Sequence, residues 1–289
     1  VEQKDGQLVA RIGGLEPGNE YDFCFNINDI RGKITTATTE LQQALVNGSF
    51  DNWAQSGKPW FAGTQDEANA KNSFWDSGNV GSTTSIMNAN PTCPESEDVH
   101  TPGGKAAKLV SQYVGLGSLG KFAAGNIYIG RYASTYSNKP LGARIRFGRE
   151  FTSRPTQLKG YYKYKAGEVY KDENGNIVKD KKDTWDIYAI FYETDEKTKT
   201  LDATNRFDHP NLISIARIDE KDRKETDEWT EFYLPFVTKT GKIVDKDKLK
   251  AGKYNVAIVF SSSIEGDYFR GAVGSTLYID EVELIHAAD

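Results

Sequence analysis

The sequence has few of the residues that build disulfide frameworks and metal centres. Its two cysteines, Cys24 and Cys93, fall in segments that we assign to different structural units. Its three histidines, His100, His209 and His286, are scattered and share no metal-ligand spacing. We therefore expect neither a disulfide framework nor a zinc site, and we interpret both cysteines as buried small apolar residues.

Long apolar runs and catalytic signature motifs are missing as well. The sequence contains no run of 18 apolar residues, so we predict no membrane-spanning segment in this chain. It contains no GxSxG, P-loop or HExxH pattern. Its 41 acidic and 36 basic residues are intermixed without a basic patch, which excludes nucleic acid and an anionic membrane as predicted partners.

The residues that are present favour β-structure. Fifteen tyrosines stand against a single methionine, a usage typical of strands and amphipathic surfaces. About ten strand-like runs alternate with turn signals, which predicts an all-β, two-sheet jelly-roll sandwich. The predicted strands are residues 46–50, 106–111, 121–129, 143–147, 157–165, 184–193, 212–218, 229–236, 254–260 and 276–284. We expect the charged segments 170–182, 194–210 and 219–228 to be solvated loops without a chemical role.

The first 45 residues differ from the rest. A Leu15-Glu16-Pro17-Gly18 turn is followed by alternating aromatics at Tyr21, Phe23 and Phe25. This pattern resembles the closing strands of an immunoglobulin-like or fibronectin type III domain, of which it would supply less than half. We therefore predict a partial immunoglobulin-like segment with its connector over residues 1–45, and the jelly roll over residues 46–289.

Two predicted strands have apolar or aromatic side chains on both faces. In 185–193, Trp185 and Ile187 alternate with Tyr188 and Ile190, and 157–165 carries tyrosines on both faces. Because one face of a sandwich sheet meets the core, the other must be covered by loops or form a ligand groove. Sugars stack on aromatic rings and hydrogen-bond phenols and carboxylates, so we predict an oligo- or polysaccharide ligand. The alternative is that Tyr162, Tyr164 and Tyr188 merely complete the core.

The stretch 254–284 predicts a strand, a loop rich in serine, glycine and aspartate, and a second strand. Small side chains at 261–263 and the glycines Gly266 and Gly271 leave room beside the first strand. We hypothesise one cleft in which Trp75 and Tyr188 stack on a sugar while three aspartates bind its hydroxyls. The predicted ligand-binding residues are Trp60, Trp75, Asp76, Asn79, Tyr162, Tyr164, Asp186, Tyr188, Ser262, Asp267 and Tyr268.

Glycoside hydrolysis is the alternative function. It needs two carboxyl groups roughly 5 to 9.5 Å apart across the scissile bond. The candidates are Asp76, Asp186 and Asp267, with Glu168 and Glu193 as further carboxylates, and no spacing in the sequence selects a pair. The third alternative is a structural or adhesin-like surface module.

One aspartate lies inside the last predicted strand, where a charge is out of place. Asp280 could complete a structural calcium site with oxygens near Asn47 to Asp51, because calcium prefers several oxygen donors. The alternative is an edge or hydrogen-bonded aspartate. We predict no other cofactor.

Eight motifs, in order, resemble the bacterial putative carbohydrate metabolism domain family over about residues 46–284. They are NGSFDNW (47–53), FWDSGN (74–79), TPGGKAAKL (101–109), GKFAAGNIYIG (120–130), FGREFTSRP (147–155), GYYKYKAGE (160–168), DIYAIFYE (186–193) and the stretch 261–284. The resemblance implies a jelly roll similar to carbohydrate-binding modules, often behind an immunoglobulin-like domain. It also implies members called putative glycoside hydrolases, and an extracytoplasmic location at the cell surface or in the periplasm of gut bacteria, with a lipid anchor supplied by a segment outside this chain.

Overall fold

The computed structural model describes residues 1–10, 12–84, 86–117, 120–135 and 143–286. Residues 287–289 of the predicted jelly roll lie outside this range. The first strands are β1 Glu2–Lys4, β2 Gln7–Val9, β3 Glu20–Phe23, β4 Asn26–Ile27, β5 Ile30–Arg31, β6 Thr35–Thr38, β7 Ala54–Gln55, β8 Trp60–Phe61, β9 Trp75–Asp76 and β10 Thr92–Glu95. Next come β11 Ala106–Val110, β12 Gln112–Val114, β13 Lys121–Ala123, β14 Asn126–Thr135, β15 Ala143–Phe147, β16 Arg149–Glu150 and β17 Pro155–Lys165.

The remaining strands are β18 Tyr170–Lys171, β19 Asp186–Glu193, β20 Leu212–Arg217, β21 Thr226–Pro235, β22 Val237–Thr238, β23 Tyr254–Ser261, β24 Gly271–Ala272 and β25 Thr276–His286. The helices are short: α1 Gln65–Ala70, α2 Asn79–Ser82 and α3 Lys246–Lys250. Among the helices of the described residues, none has the length and apolar content needed to cross a membrane.

Two antiparallel sheets form the sandwich. The smaller sheet has the order β10-β11-β25-β17-β21. The larger has the order β15-β14-β23-β19-β20-β22, with the short strand β9 also paired to β14 and β16 to β23. The two sheets meet in one core, where the Phe232 ring lies 6.1 Å from Phe260 and the Tyr162 ring 4.4 Å from Trp185. The predicted all-β sandwich is confirmed.

Two predicted strands differ from the structure. Residues 46–50 form a turn instead of a strand, in which Asn47 and Phe50 have left-handed backbone and Phe50 N donates to Asn47 O. The run 121–129 is divided at Gly125, because this residue lies directly against the β11 backbone. A Cβ there would stand 2.3 Å from Val110 N, so the close approach requires glycine.

Strand β19 buries both of its faces, as its alternation predicts. Ile187, Ala189 and Phe191 enter the sandwich core. Tyr188, Ile190 and Tyr192 belong to a second apolar cluster on the outer side of the larger sheet. Leu201, in the loop after β19, covers this cluster at the Tyr192 end, where Leu201 O accepts from Phe147 N at 2.8 Å. At the other end, Phe207 packs on Tyr188, which borders a cavity.

Residues 2–38 form three separate two-stranded pairs, β1 with β2, β3 with β6, and β4 with β5. The connector after them is fixed to the sandwich through Gln43, whose N–H donates to Ser153 Oγ at 2.6 Å and whose Oε1 accepts from Thr152 N at 3.0 Å. The immunoglobulin-like nature of this segment stays a prediction. Cys24 is exposed and Cys93 half-buried, so the prediction that both are buried is wrong.

Candidate functional site

A cavity of about 300 Å³ lies on the outer face of the larger sheet, which we call the groove. Its floor follows from the strand register, since residues two apart on a strand share a face and paired residues lie side by side. The floor residues form two rows across β14, β23 and β19: Tyr128, Val259 and Tyr188 in one, and Asn126, Ser261 and Asp186 in the other. Three adjacent strands therefore present an apolar row beside a polar row.

Loops and short elements form the walls of the groove. Gly78 and Gly81 line it near α2, and Phe122 lines it from β13. Asp267 and Phe269 line it from the loop between β23 and β24. The volume lies at the lower end of the range for small-molecule sites, about 300–1,000 Å³, and a mixed apolar and polar lining is typical of such sites.

Asp186 is the buried carboxylate of the floor, with 6% of its side chain exposed. Its Oδ2 accepts from Arg217 Nη2 at 2.7 Å, and its Oδ1 lies 3.4 Å from Arg223 Nη2. A buried charge is tolerated when it is paired and hydrogen-bonded, and two guanidinium groups meet that need here. Asp186 is therefore paired with two arginines at the floor of the groove.

Asp267 carries the second carboxylate of the groove. Arg206 Nη2 donates to its Oδ2 at 2.9 Å, and Arg206 Nη1 donates to Ala203 O at 2.6 Å. The pair joins the loop after β19 to the loop after β23. Arg206 and Arg223 lie in segments that we expected to be solvated and without a chemical role. That expectation is wrong for these two residues, because their guanidinium groups pair with the groove carboxylates.

Tyr188 lines the groove, but its ring faces are already occupied. The guanidinium carbons of Arg206 and Arg217 lie 5.6 Å and 5.9 Å from its centroid, and Phe207 packs edge-on at 4.9 Å. Burial raises the pKa of Tyr188, so its hydroxyl keeps its proton. Tyr188 can therefore offer a hydroxyl to a ligand, while the predicted stacking of a sugar on its ring is wrong.

The loop that carries Asp267 is anchored by Asp183, a buried carboxylate that is not among the predicted site residues. Its Oδ2 accepts from Ser263 Oγ at 2.5 Å, from Ala272 N at 2.7 Å and from Ser275 Oγ at 2.7 Å. Burial raises the pKa of Asp183, and these hydrogen bonds oppose that rise. Asp183 directly follows a run of lysines and aspartates, which is the pattern of a solvated turn.

Of the predicted site residues, Asp186, Tyr188 and Asp267 line the groove together. Trp75 does not, and its predicted stacking role is wrong. Its ring is fully buried, 5.0 Å from Phe50 and 6.0 Å from Phe260, and its Nε1 donates to Val46 O at 2.8 Å. A sugar cannot reach a ring that closes the sandwich core.

Asp76 and Asn79 act as structural hydrogen-bonding residues. Asp76 accepts from Ser77 N and Tyr132 N, both at 2.8 Å, and burial raises its pKa. Buried Asn79 donates to Trp60 O at 2.9 Å and to a second carbonyl, Thr92 O, at 2.7 Å. Asp76, Asn79 and the half-buried Trp60 are not among the residues that line the groove.

Four further predicted residues lie elsewhere. Tyr162 and Tyr164 are buried in the sandwich core, the alternative that the sequence left open. Ser262 is buried and its hydroxyl lies 2.8 Å from Ser111 Oγ. Tyr268 is 43% exposed beside Arg270 and lies outside the groove lining.

The other carboxylate candidates do not complete a catalytic pair with Asp186. Glu168 is exposed, and Glu193 pairs with Lys248 at 2.5 Å. Asp186 and Glu193 are the first and last residues of β19, seven steps apart, which places their Cα atoms about 23 Å from each other at 3.3 Å a step. The two carboxyl groups of a glycosidase stand roughly 5 to 9.5 Å apart.

The carboxylate oxygens of Asp51 and Asp280 accept hydrogen bonds from N–H groups of the loop 100–105. In a calcium site these oxygens would bind the ion instead. Asp51 Oδ1 accepts from Lys105 N at 2.8 Å. Asp280 accepts from His100 N at 3.0 Å and Glu281 N at 2.8 Å. In the part of the chain that the structure describes, no three or more His, Cys, Asp or Glu side chains are grouped to hold a metal. These donors do not fit the predicted calcium site, and the hydrogen-bonded alternative describes Asp280.

The fold and the groove define a β-sandwich domain with a ligand-sized site on one sheet. Residues 49–285 match the family model of the putative carbohydrate metabolism domain, and the chain belongs to that family. It is therefore a carbohydrate-related domain, as the resemblance of its motifs predicted. Among curated proteins, none matches the chain.

Two solved structures are similar over most of the chain. A putative glycoside hydrolase from Bacteroides thetaiotaomicron VPI-5482 is 41% identical with a TM-score of 0.71, and the match covers 94% of this chain and 80% of that one. A putative glycoside hydrolase from Bacteroides vulgatus ATCC 8482 is 34% identical with a TM-score of 0.67, covering 84% of this chain and 98% of that one.

Proposed function

We propose that this chain is a carbohydrate-binding domain that holds a glycan in the groove. The observation that carries the proposal is the two-row floor, in which an apolar row with tyrosine hydroxyls lies beside a row of amide, hydroxyl and carboxylate groups. A sugar ring has an apolar face and hydroxyls at its edge, and this floor offers a partner to each. Family membership supports the same class of ligand.

The charges of the groove favour binding over bond cleavage. A glycosidase acid must carry a proton to the leaving group. Both groove carboxylates are already engaged by an arginine, Asp186 at 2.7 Å and Asp267 at 2.9 Å, so neither is free to act as that acid. The oxygens of such paired carboxylates have lone pairs left to accept from sugar hydroxyls.

Hydrolysis is the second candidate, and one observation favours it. The two similar structures are described as putative glycoside hydrolases, and two carboxylates of this chain line a single groove. For hydrolysis to occur there, one of them would have to release its arginine when the substrate binds.

We further propose that the domain works outside the cytoplasm, at the cell surface or in the periplasm, attached through a lipid anchor. An external polysaccharide is too large to cross a membrane, so a protein that binds one from the surroundings meets it outside. Cell fractionation with protease accessibility on intact cells tests this. Protection of the protein in the cytoplasmic fraction would contradict the proposal.

A glycan array combined with a reducing-sugar assay tests the function. Binding without release of reducing sugar supports the proposal, whereas release of reducing sugar supports hydrolysis instead. If neither binding nor release is detected, a structural or adhesin-like module is the remaining function. Asp267→Asn is expected to weaken binding because it removes a charged acceptor from the groove. Glu265→Gln is the matched control, since Glu265 is an ion-paired carboxylate of the same loop that contacts Lys181 and does not line the groove.

A further inference from the structure

Two tyrosines flank Val259 in the apolar row of the floor. Tyr128 pairs with Val259 from β14 and Tyr188 pairs with it from β19, so the three residues project from the same face. Two strand spacings of about 4.8 Å place the tyrosine Cα atoms about 10 Å apart. That arrangement puts one phenol on each side of an apolar centre.

Both phenol hydroxyls lack a protein partner within the described residues. Tyr128 Oη is buried and accepts or donates no hydrogen bond there. Tyr188 Oη forms none in that part of the chain either, but it is not one of the fully buried unpaired atoms, and Tyr188 lines the cavity. Buried polar groups in native proteins nearly always find a partner, because an unpaired one costs free energy. Phenylalanine would pack equally well against Phe147, which lies 5.8 Å from the Tyr128 ring, so packing does not explain the oxygen.

We propose that Tyr128 and Tyr188 determine the specificity of the groove by hydrogen-bonding hydroxyls of a neutral glycan whose ring lies over Val259. This rests on the proposed function, and it adds the residues and the charge class of the ligand. Phenols both donate and accept, so they suit sugar hydroxyls.

The neutral class follows from the ion pairs around the floor. The guanidinium groups that reach the groove are committed to Asp186 and Asp267. On the floor, an acidic group would have to displace a carboxylate from its arginine or lie beside two carboxylates, and both carry a desolvation cost. The exposed Lys121 lines the groove wall from β13, outside the two floor rows. A neutral sugar uses the same carboxylates as acceptors without disturbing either pair.

The test is calorimetric titration of wild type, Tyr128→Phe and Tyr188→Phe. The probes are neutral xylo-, gluco-, galacto- and arabino-oligosaccharides, with oligogalacturonate as the acidic probe. Each substitution removes one oxygen and keeps the ring, and each is expected to weaken binding of the best neutral probe roughly tenfold, the loss of one net hydrogen bond. Tyr164→Phe is the matched control, because Tyr164 is equally buried but lies in the sandwich core. It is expected to leave affinity unchanged.

Thermal melting of each variant shows that the fold is intact, and a deoxy-sugar series supplies a second readout. Removing the sugar hydroxyl that Tyr128 contacts is expected to cost affinity in wild type but not in Tyr128→Phe, which a purely structural role would not produce. Unchanged affinity in both phenylalanine variants, or preference for oligogalacturonate, overturns the inference while leaving carbohydrate binding intact. Absence of binding by wild type to every probe instead overturns the proposed function.

Discussion

The Asp183 carboxylate accepts a hydrogen bond from Ser263 Oγ at 2.5 Å across 80 positions of the chain. Ser263 begins the loop that carries Asp267, and the same carboxylate holds Ala272 N at the far end of that loop. One buried group therefore fixes both ends of a groove wall.

Asp183→Asn is expected to reduce the free energy of unfolding by about 1–3 kcal/mol, because an amide N–H₂ would face groups that are themselves donors. Urea denaturation measures this. Asp180→Asn is the control, since Asp180 is exposed in the same run. Equal stability of the two variants would show that the Asp183 hydrogen bonds do not anchor the loop.

The stability of the fold is expected to depend on the ionisation of Asp280. Burial raises the pKa of Asp280 from 3.8 to about 6, against the opposing effect of the His100 and Glu281 N–H groups. Between about pH 4 and 6 the folded chain keeps a proton that the unfolded chain releases, so the free energy of unfolding falls as the pH rises through this window. Carbon-detected NMR titration of Asp280 measures its pKa directly. Asp280→Asn should remove this part of the pH dependence, and a wild-type midpoint near 3.8 would contradict the prediction.

Trp75→Ala is expected to cost about 3–5 kcal/mol, because it leaves a cavity between Phe50 and Phe260 in the core. Trp75→Phe fills much of that space and should retain both the fold and glycan affinity. Differential scanning fluorimetry and calorimetric titration separate the two effects. A folded Trp75→Phe protein that has lost glycan affinity would return Trp75 to the binding site.

Asp186→Asn is expected to lower stability by about 3–5 kcal/mol, since it leaves the guanidinium groups of Arg217 and Arg223 without their carboxylate. Asp219→Asn provides the comparison. The Asp219–Lys221 pair is largely exposed at 3.7 Å, and its loss should change stability by less than about 1 kcal/mol. Similar midpoints of chemical denaturation for the two variants would argue against a buried network at Asp186.

The alternation of single strands was readable from the sequence, and so was the class of the fold. Residues 185–193 predict a strand buried on both faces because Ile187 and Tyr188 begin two apolar series of period two. The floor of the groove was not readable. It depends on the register that brings residue 128 beside 259 and 259 beside 188, and these positions are distant in the chain.

The other differences between the predicted and the observed site concern which side chains are buried. Trp75 stands among polar residues in the sequence, and its place in the core depends on partners at 50 and 260. Arg206 and Asp183 lie in charged stretches that resemble solvated loops, but Arg206 donates to Asp267 and Asp183 accepts from Ser275, and both partners lie in distant segments. Local patterns do not contain such long-range pairings.

Strand β25 lies in the middle of the smaller sheet, between β11 and β17, although it follows every other strand in chain order. During synthesis, β11 and β17 are made before β25, the strand that lies between them and pairs with both. Their open edges must wait for Thr276 to His286 to emerge, and such edges recruit other chains. Completion of this sheet therefore waits for β25, and nascent chains stalled before residue 276 are the species expected to need chaperone protection.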